Sequence, residues 1–490
     1  MTASLRDGQR RAGVLLHPTS LPGPWESGVL GSDADRFLDW LRDGGFRWWQ
    51  MLPVGPVGDS LSPYQLTSAF AGNPRLIDPD DLRRAGWLTT PPDPAPGSWA
   101  GRKALLHSAW LGFCATASPE ECVEFNSYWH DQRGWLLPFA LFGAARARYG
   151  DRGWWTWPQA LRRREPQAMA RLLGEAEADI RETAFEQWVF DRQWARLRTR
   201  ARAYGIELLG DLPIYVDLDS ADVWWHRRFF RVDVDGRPEA VAGVPPDYFS
   251  EEGQLWGNPL YNWDAMQADG FRWWVDRVHT QLQRFDCLRI DHFRGLQAYW
   301  EIPAEATSAR HGCWQLAPGA SLLAALGAAC GGQPFLAEDL GTITPEVHAL
   351  RTQFGLPGML IAQFGFDGSA DNPYFPANQV EAAVIYPGTH DNDTAVGWSQ
   401  RLDASSRDNA QRALSCSPEE LPGALLRSVW RSPAQTAIFP LQDLLGLGSE
   451  ARMNTPATTT GNWTWRFEWG QVPDGLAAEC RRLGLATGRS

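Results

Sequence analysis

The chain has 490 residues, a formal net charge of -12 at pH 7 and a pI near 5.3. An acidic balance of that size argues against nucleic acid or an anionic membrane surface as a partner. No apolar run approaches the roughly 18 residues of a membrane span, and the polar, arginine-rich start carries no apolar leader, so a soluble, cytoplasmic protein is expected.

Residues 13–16 form a short apolar run followed by His17-Pro18, which predicts a strand and then a loop. Ser32–Asp43 shows helical spacing through Phe37, Leu38 and Leu41, with Ser32 as its N-cap. Residues 46–52 are again strand-like, so the chain opens as strand, helix, strand. From residue 55 that alternation stops. Loops rich in Pro and Gly lead into amphipathic helical patterns at 166–178 and 180–203, and residues 55–204 are expected to be a helical subdomain inserted between two core strands. The alternation resumes with a strand at 206–210, ending in Asp211. A second insertion at 217–263 is irregular and rich in aromatics, Gly and Pro. After it come a helix at 264–283 and a strand at 285–290 that runs into Asp291. Further strands are predicted at 334–337, 358–364, 382–386 and 435–439, separated by helices at 321–329, 344–354, 406–414 and 422–431. About eight strands alternating with helices predict a closed (β/α)8 (TIM) barrel. An open doubly wound sheet is the alternative, and no G-x-G-x-x-G follows the first strand to support it.

The seven cysteines (Cys114, Cys122, Cys287, Cys313, Cys330, Cys416, Cys480) are scattered without a C-x-x-C pair and read as free thiols, with no zinc site. Lys103 is the only lysine and has no catalytic neighbours in sequence, which argues against a Schiff-base cofactor. The 27 tryptophans admit two uses, stacking on flat apolar sugar faces or packing a large core.

Asp211, Asp291, Glu338 and Asp391 each follow an apolar, strand-like run. In a parallel barrel those strand ends share one face, so the four carboxylates would converge in one cleft. Clustered like charges destabilise a fold, and keeping them together points to acid–base work or to a metal. Two carboxyl groups suffice to break a glycosidic bond with retention, one attacking the anomeric carbon and the other protonating the leaving oxygen. Arg289 lies two residues before Asp291, on the same side of the strand, and is expected to favour its ionised form. Burial and nearby anions would keep a proton on Glu338. Asp339 falls on the opposite face and is expected to be structural. A calcium or magnesium site built from the same oxygens is the competing reading, although no EF-hand spacing is present.

Three segments resemble the signature regions of the α-amylase superfamily: Arg289-Ile290-Asp291-His292-Phe293-Arg294-Gly295, Ala337-Glu338-Asp339-Leu340-Gly341 and Gly388-Thr389-His390-Asp391-Asn392-Asp393-Thr394. Their detailed form is similar to glycoside hydrolase family 77, the 4-α-glucanotransferases. So are Ser62-Pro63-Tyr64-Gln65, Gly210-Asp211-Leu212-Pro213, Gln254-Leu255-Trp256-Gly257-Asn258-Pro259 and Arg452-Met453-Asn454-Thr455-Pro456. The resemblance implies a barrel without the C-terminal β-sandwich of α-amylases, and no metal or organic cofactor. It implies Asp291 as nucleophile, Glu338 as general acid/base and Asp391 as stabiliser of the oxocarbenium-like transition state. It also implies that Arg289, His390, Asp211 and Tyr64 hold the sugar at the cleavage point, that Tyr248, Phe249 and Trp256 line the glucan path, and that Asn454 lies toward the acceptor. The implied substrates are maltooligosaccharides, amylose or glycogen-derived α-1,4-glucans, and glucose. A hydrolase on the same scaffold and a non-catalytic glucan-binding protein are the alternatives. Ala457 stands where the family usually has Gly, and Glu251-Glu252 replace small residues, departures that bear on acceptor preference.

Overall fold

The computed structural model describes residues 5, 8–88, 98–150, 152–246 and 251–489. Eight parallel strands run β1 Arg11–Leu15, β2 Trp48–Gln50, β3 Glu207–Leu212, β4 Cys287–Ile290, β5 Phe335–Ala337, β6 Gly358–Ile361, β7 Ala383–Tyr386 and β8 Thr436–Pro440. Each pairs in parallel with the next in chain order except β5 with β6, and β8 returns to pair with β1. At the remaining seam the Ala337 N–H donates to the Pro357 carbonyl at 3.0 Å, bringing β5 against β6. The (β/α)8 barrel expected from the alternation is the fold observed, and among the described residues no β-sandwich follows it.

Strand alternation sorts the side chains into two layers. Leu209, Cys287, Leu336, Val384, Tyr386, Ile438 and Trp48 pack together inside the barrel. Leu208, Leu288, Ile290, Phe335, Ala337 and Phe439 point outward, into the larger core beneath the helices. Continuing the inward rows by two residues takes Leu209 to Asp211, Cys287 to Arg289 and Asp291, and Leu336 to Glu338, at the C-terminal mouth. Tyr386 closes the interior below them, its hydroxyl donating to Gln50 Oε1 at 2.8 Å. Backbones come close here: a Cβ on Gly13 would stand 2.5 Å from that of Trp48.

Several expectations need correction. Helix Ser32–Asp43 starts at Ser32 and is capped by Gly31, not Ser32; position 31 has no room for a capping side chain, since a Cβ there would meet the Asp78 carboxyl carbon at 2.8 Å. The helix expected at 264–283 is two, Trp263–Ala268 and Arg272–Arg284, since Gly270 (φ +67) and Phe271 (φ 55) turn left-handed between them. The aromatic segment 217–263 is not wholly irregular. Strands Ala240–Val244 and Gln254–Pro259 join Ala298–Pro303 and Cys313–Leu316 in a four-stranded antiparallel sheet. Those strands lack an inward–outward alternation, Cys313–Leu316 being exposed throughout, so the period that betrays a half-buried strand was absent.

Between β2 and β3 lie helices Pro79–Arg84, Trp99–Thr116, Pro119–Asp131, Arg133–Tyr149, Pro166–Glu175 and Glu177–Ala203. Many tryptophans are core residues: Trp48, Trp49, Trp154, Trp188, Trp194, Trp224 and Trp274 are essentially inaccessible. Among the described residues no disulfide forms between the seven cysteines. Among the described residues no helix is long and apolar enough to cross a membrane.

Candidate active site

Register builds the centre of the cleft. Asp211 on β3 lies opposite Arg289 on β4. Their side chains meet in a buried bidentate pair, Arg289 Nε to Asp211 Oδ1 at 3.1 Å and Nη2 to Oδ2 at 2.8 Å. The same Nη2 donates to Asp291 Oδ1 at 2.8 Å and to the Tyr64 hydroxyl at 3.0 Å. One guanidinium thus joins two strands and the loop after β2, using the planar fork that only arginine supplies. Asp211 is accordingly not an unpaired acid, as the count of four clustered carboxylates implied. It is the fixed half of an ion pair.

Tyr64 extends this network. Its hydroxyl donates to Asp211 Oδ2 at 2.7 Å and stands 2.9 Å from His390 Nε2, while the two rings stack at 5.5 Å and 15°. The phenol has one proton, and Asp211 takes it, so the remaining contacts require the phenol oxygen to accept. That assigns a proton to His390 Nε2. Burial lowers the His390 pKa, which favours the neutral ring. Trp463 tilts against both rings, at 5.9 Å from Tyr64 and 6.1 Å from His390.

Glu338 follows β5 and turns toward Asp291. Its Oε2 accepts the His292 backbone N–H at 2.5 Å, and its own carbonyl accepts from Phe293 N at 3.1 Å. His292 reaches this position through a left-handed backbone (φ 52), uncommon outside glycine. Burial, then the adjacent Asp291 charge, pushes the Glu338 pKa well above the ordinary carboxylate range. Asp291 is raised as well: burial outweighs the pull of Arg289, which was expected to prevail. Both carboxyls are held above the ordinary range, and with the Arg289 guanidinium on Asp291 and a backbone N–H on Glu338, Glu338 is the one suited to hold the proton. Asp339 faces away, accepting from Met359 N at 2.8 Å and pairing with Arg351 at 3.1 Å.

Asp391 lies nearer solvent, its side chain half exposed. Asn454 Nδ2 donates to its Oδ1 at 2.6 Å, and Arg452 holds its carbonyl at 2.9 Å. Trp256 on strand Gln254–Pro259 meets the His292 ring edge-on at 4.8 Å. Tyr248 and Phe249 lie outside the described residues. Glu252 pairs with Arg310 at 3.0 Å and Ser308 at 2.8 Å, tying this segment to the small sheet. Among the described residues no group of His, Cys, Asp or Glu is arranged to hold a metal ion.

Sequence reasoning placed Asp211, Arg289, Asp291, Glu338, His390 and Tyr64 together, and the structure brings them together. It passed over His292, Trp463 and Arg452, all of which lie within motifs that were read for other residues.

A family model described as 4-alpha-glucanotransferase, glycoside hydrolase family 77, matches residues 16–471. The 4-alpha-glucanotransferase of Thermus thermophilus is 45% identical, covering 98% of this chain and 99% of that one. That of Aquifex aeolicus is 42% identical, over 94% and 96%. The solved amylomaltase of Streptococcus agalactiae in complex with acarbose shares 35% identity at a TM-score of 0.94, covering 98% of this chain and 100% of that one. A barrel carrying these carboxylates at its mouth, matched over nearly its whole length, belongs to the 4-α-glucanotransferases of glycoside hydrolase family 77, enzymes of the α-amylase superfamily.

Proposed function

We propose that this 4-α-glucanotransferase moves α-1,4-glucan segments from a donor to the 4-hydroxyl of an acceptor, with Asp291 as nucleophile and Glu338 as acid and base. An Asp291 oxygen attacks the anomeric carbon, the bond from that carbon to the glycosidic oxygen breaks, and Glu338 gives its proton to that oxygen. The departing glucan leaves with a free 4-hydroxyl. An acceptor 4-hydroxyl then loses its proton to Glu338 and attacks the same carbon, releasing Asp291. Two inversions give net retention. The observation that carries this reading is the division of environments: Asp291 hydrogen-bonds the Arg289 guanidinium, whereas Glu338 is buried beside an anion and receives only a backbone N–H.

Asp391 serves the charge that develops at the sugar ring, and Asn454 holds it in place. Tyr64, Asp211, Arg289 and His390 position the sugar at the cleavage point. Trp256, with Tyr248 and Phe249, guides the glucan chain. Transfer instead of hydrolysis requires an acceptor held in place and water kept out. In this reading residues 55–204 and 217–263 are insertions in one catalytic barrel, the second lying over the cleft. The donors are maltooligosaccharides and amylose or glycogen-derived glucans, the acceptors include glucose, and the setting is cytoplasmic. The test is Asp291→Asn, which is expected to abolish transfer while maltooligosaccharide binding persists. Full activity in that variant would sink the assignment.

A further inference from the structure

Arg294 is buried at 6% exposure, yet no carboxylate among the described residues pairs with it, and its Nε has no hydrogen-bond partner. Such an arrangement is costly, because a buried charge is ordinarily neutralised by a counter-ion. What the side chain does reach is specific. Its Nη1 donates to the Thr342 carbonyl. Its guanidinium lies 3.7 Å over the Trp314 ring, on the exposed strand Cys313–Leu316 of the small sheet. Arg294 stands three positions beyond Asp291 in the turn Phe293–Leu296, and Thr342 stands four beyond Glu338. The side chain therefore spans the two loops that carry the two reacting carboxyl groups.

Building on the transferase reading above, we propose that Arg294 is a positioning residue. Stacked on Trp314, it fastens the loop after Asp291 to the loop after Glu338 and so fixes where the Glu338 carboxyl sits. The Glu338 contact most dependent on that fastening is the 2.5 Å bond from His292 N, made by a residue in left-handed backbone directly before the Arg294 turn. If the turn slips, that bond lengthens and the carboxyl leaves its working position. An arginine suits the role because its flat guanidinium can stack on a ring and donate sideways together. The ring is the exposed end of the clamp: Trp314 is 40% exposed and meets Trp300 at 5.1 Å.

The fastening predicts both a rate effect and a titration effect. The charged groups around Glu338 are Asp291, Arg289 and Asp339, with Tyr374 and the neutral His292 nearby. Losing the His292 N–H bond favours protonated Glu338 and so raises its pKa. With maltotriose as substrate, Arg294→Met is expected to lower kcat about 10- to 100-fold, the scale of a misplaced catalytic group, with KM changed less than about threefold. The alkaline limb of its pH profile should move up by about half a unit to one unit. Trp314→Leu should do the same more weakly, and Arg294→Lys should recover part of the rate. If Arg294→Met does not fold, Trp314→Leu carries the test, because its ring lies outside the barrel. A folded variant of either kind with wild-type kcat, or with an unmoved alkaline limb, would overturn the proposal. Should the wild type make no product from maltotriose, the transferase reading fails on its own. The clamp is then read from the ¹³C-carboxyl titration of Glu338, identified by its loss in Glu338→Gln: an upward shift in Arg294→Met supports the clamp and an unchanged titration overturns it.

Discussion

Arg289 holds Asp211 through two parallel hydrogen bonds, and the same guanidinium reaches on to Asp291. The pair is nearly inaccessible, so its worth appears when one member is removed. Replacing Asp211 with Ala removes two of the buried guanidinium's hydrogen bonds while Asp291 and Tyr64 remain, which is expected to cost about 1–3 kcal/mol. Urea unfolding of Asp211→Ala at neutral pH checks this. A loss under about 1 kcal/mol would show that water replaces the carboxylate without penalty.

The raised Glu338 makes the site a source of instability at high pH. A carboxyl whose folded-state pKa exceeds its unfolded value binds its proton more tightly when folded. Its contribution to stability is present below the ordinary glutamate value of 4.5 and is lost as pH rises through the folded pKa. Glu338→Gln removes that loss while ending catalysis. Its Tm is therefore expected to exceed the wild type's in alkaline buffer, with the gap closing toward pH 4.5. Equal melting temperatures across the range would contradict the raised pKa.

Turnover should follow a bell. Activity is lost at low pH as Asp291 protonates and at high pH as Glu338 gives up its proton, the two apparent values belonging to the pair. Because burial raises Asp291, the acid limb should lie above the ordinary aspartate value of 3.8. A profile of kcat/KM for maltotriose measures both limbs.

Asn454→Ala removes the 2.6 Å donor that holds the half-exposed Asp391 carboxyl. The expected result is a roughly tenfold lower kcat/KM, from a catalytic group free to wander. Stability should change by under about 1 kcal/mol, as is usual for an exposed contact.

Ala457 has φ +64, the left-handed region, in the loop that begins at Asn454. A side chain there costs about 1–2 kcal/mol, of which glycine returns about 0.4–1 through its freer unfolded chain. Ala457→Gly is thus expected to stabilise by about 0.5–1 kcal/mol in urea unfolding. Position 457 carries an alanine where the backbone favours glycine.

These particulars mark how far the sequence carries. The barrel strands were legible because each is a short apolar run between turn signals, and the acids stood out because each closes such a run. The Asp211–Arg289 pairing depends on register between strands 78 positions apart, and the Tyr64–His390 contact on one of 326, neither of which periodicity encodes. The small antiparallel sheet escaped notice because its exposed strands carry no alternation. The Arg294–Trp314 contact crosses from that sheet to the barrel, so it surfaced only in the fold.

The central claim is that Asp291 and Glu338 pass a glucan segment to another sugar in preference to water. Incubation of the wild-type protein with maltotriose, with products separated by chromatography and glucose assayed, tests it most directly. A ladder of longer maltooligosaccharides together with glucose is the predicted result. Glucose and maltose alone would show that water is the acceptor and contradict the account.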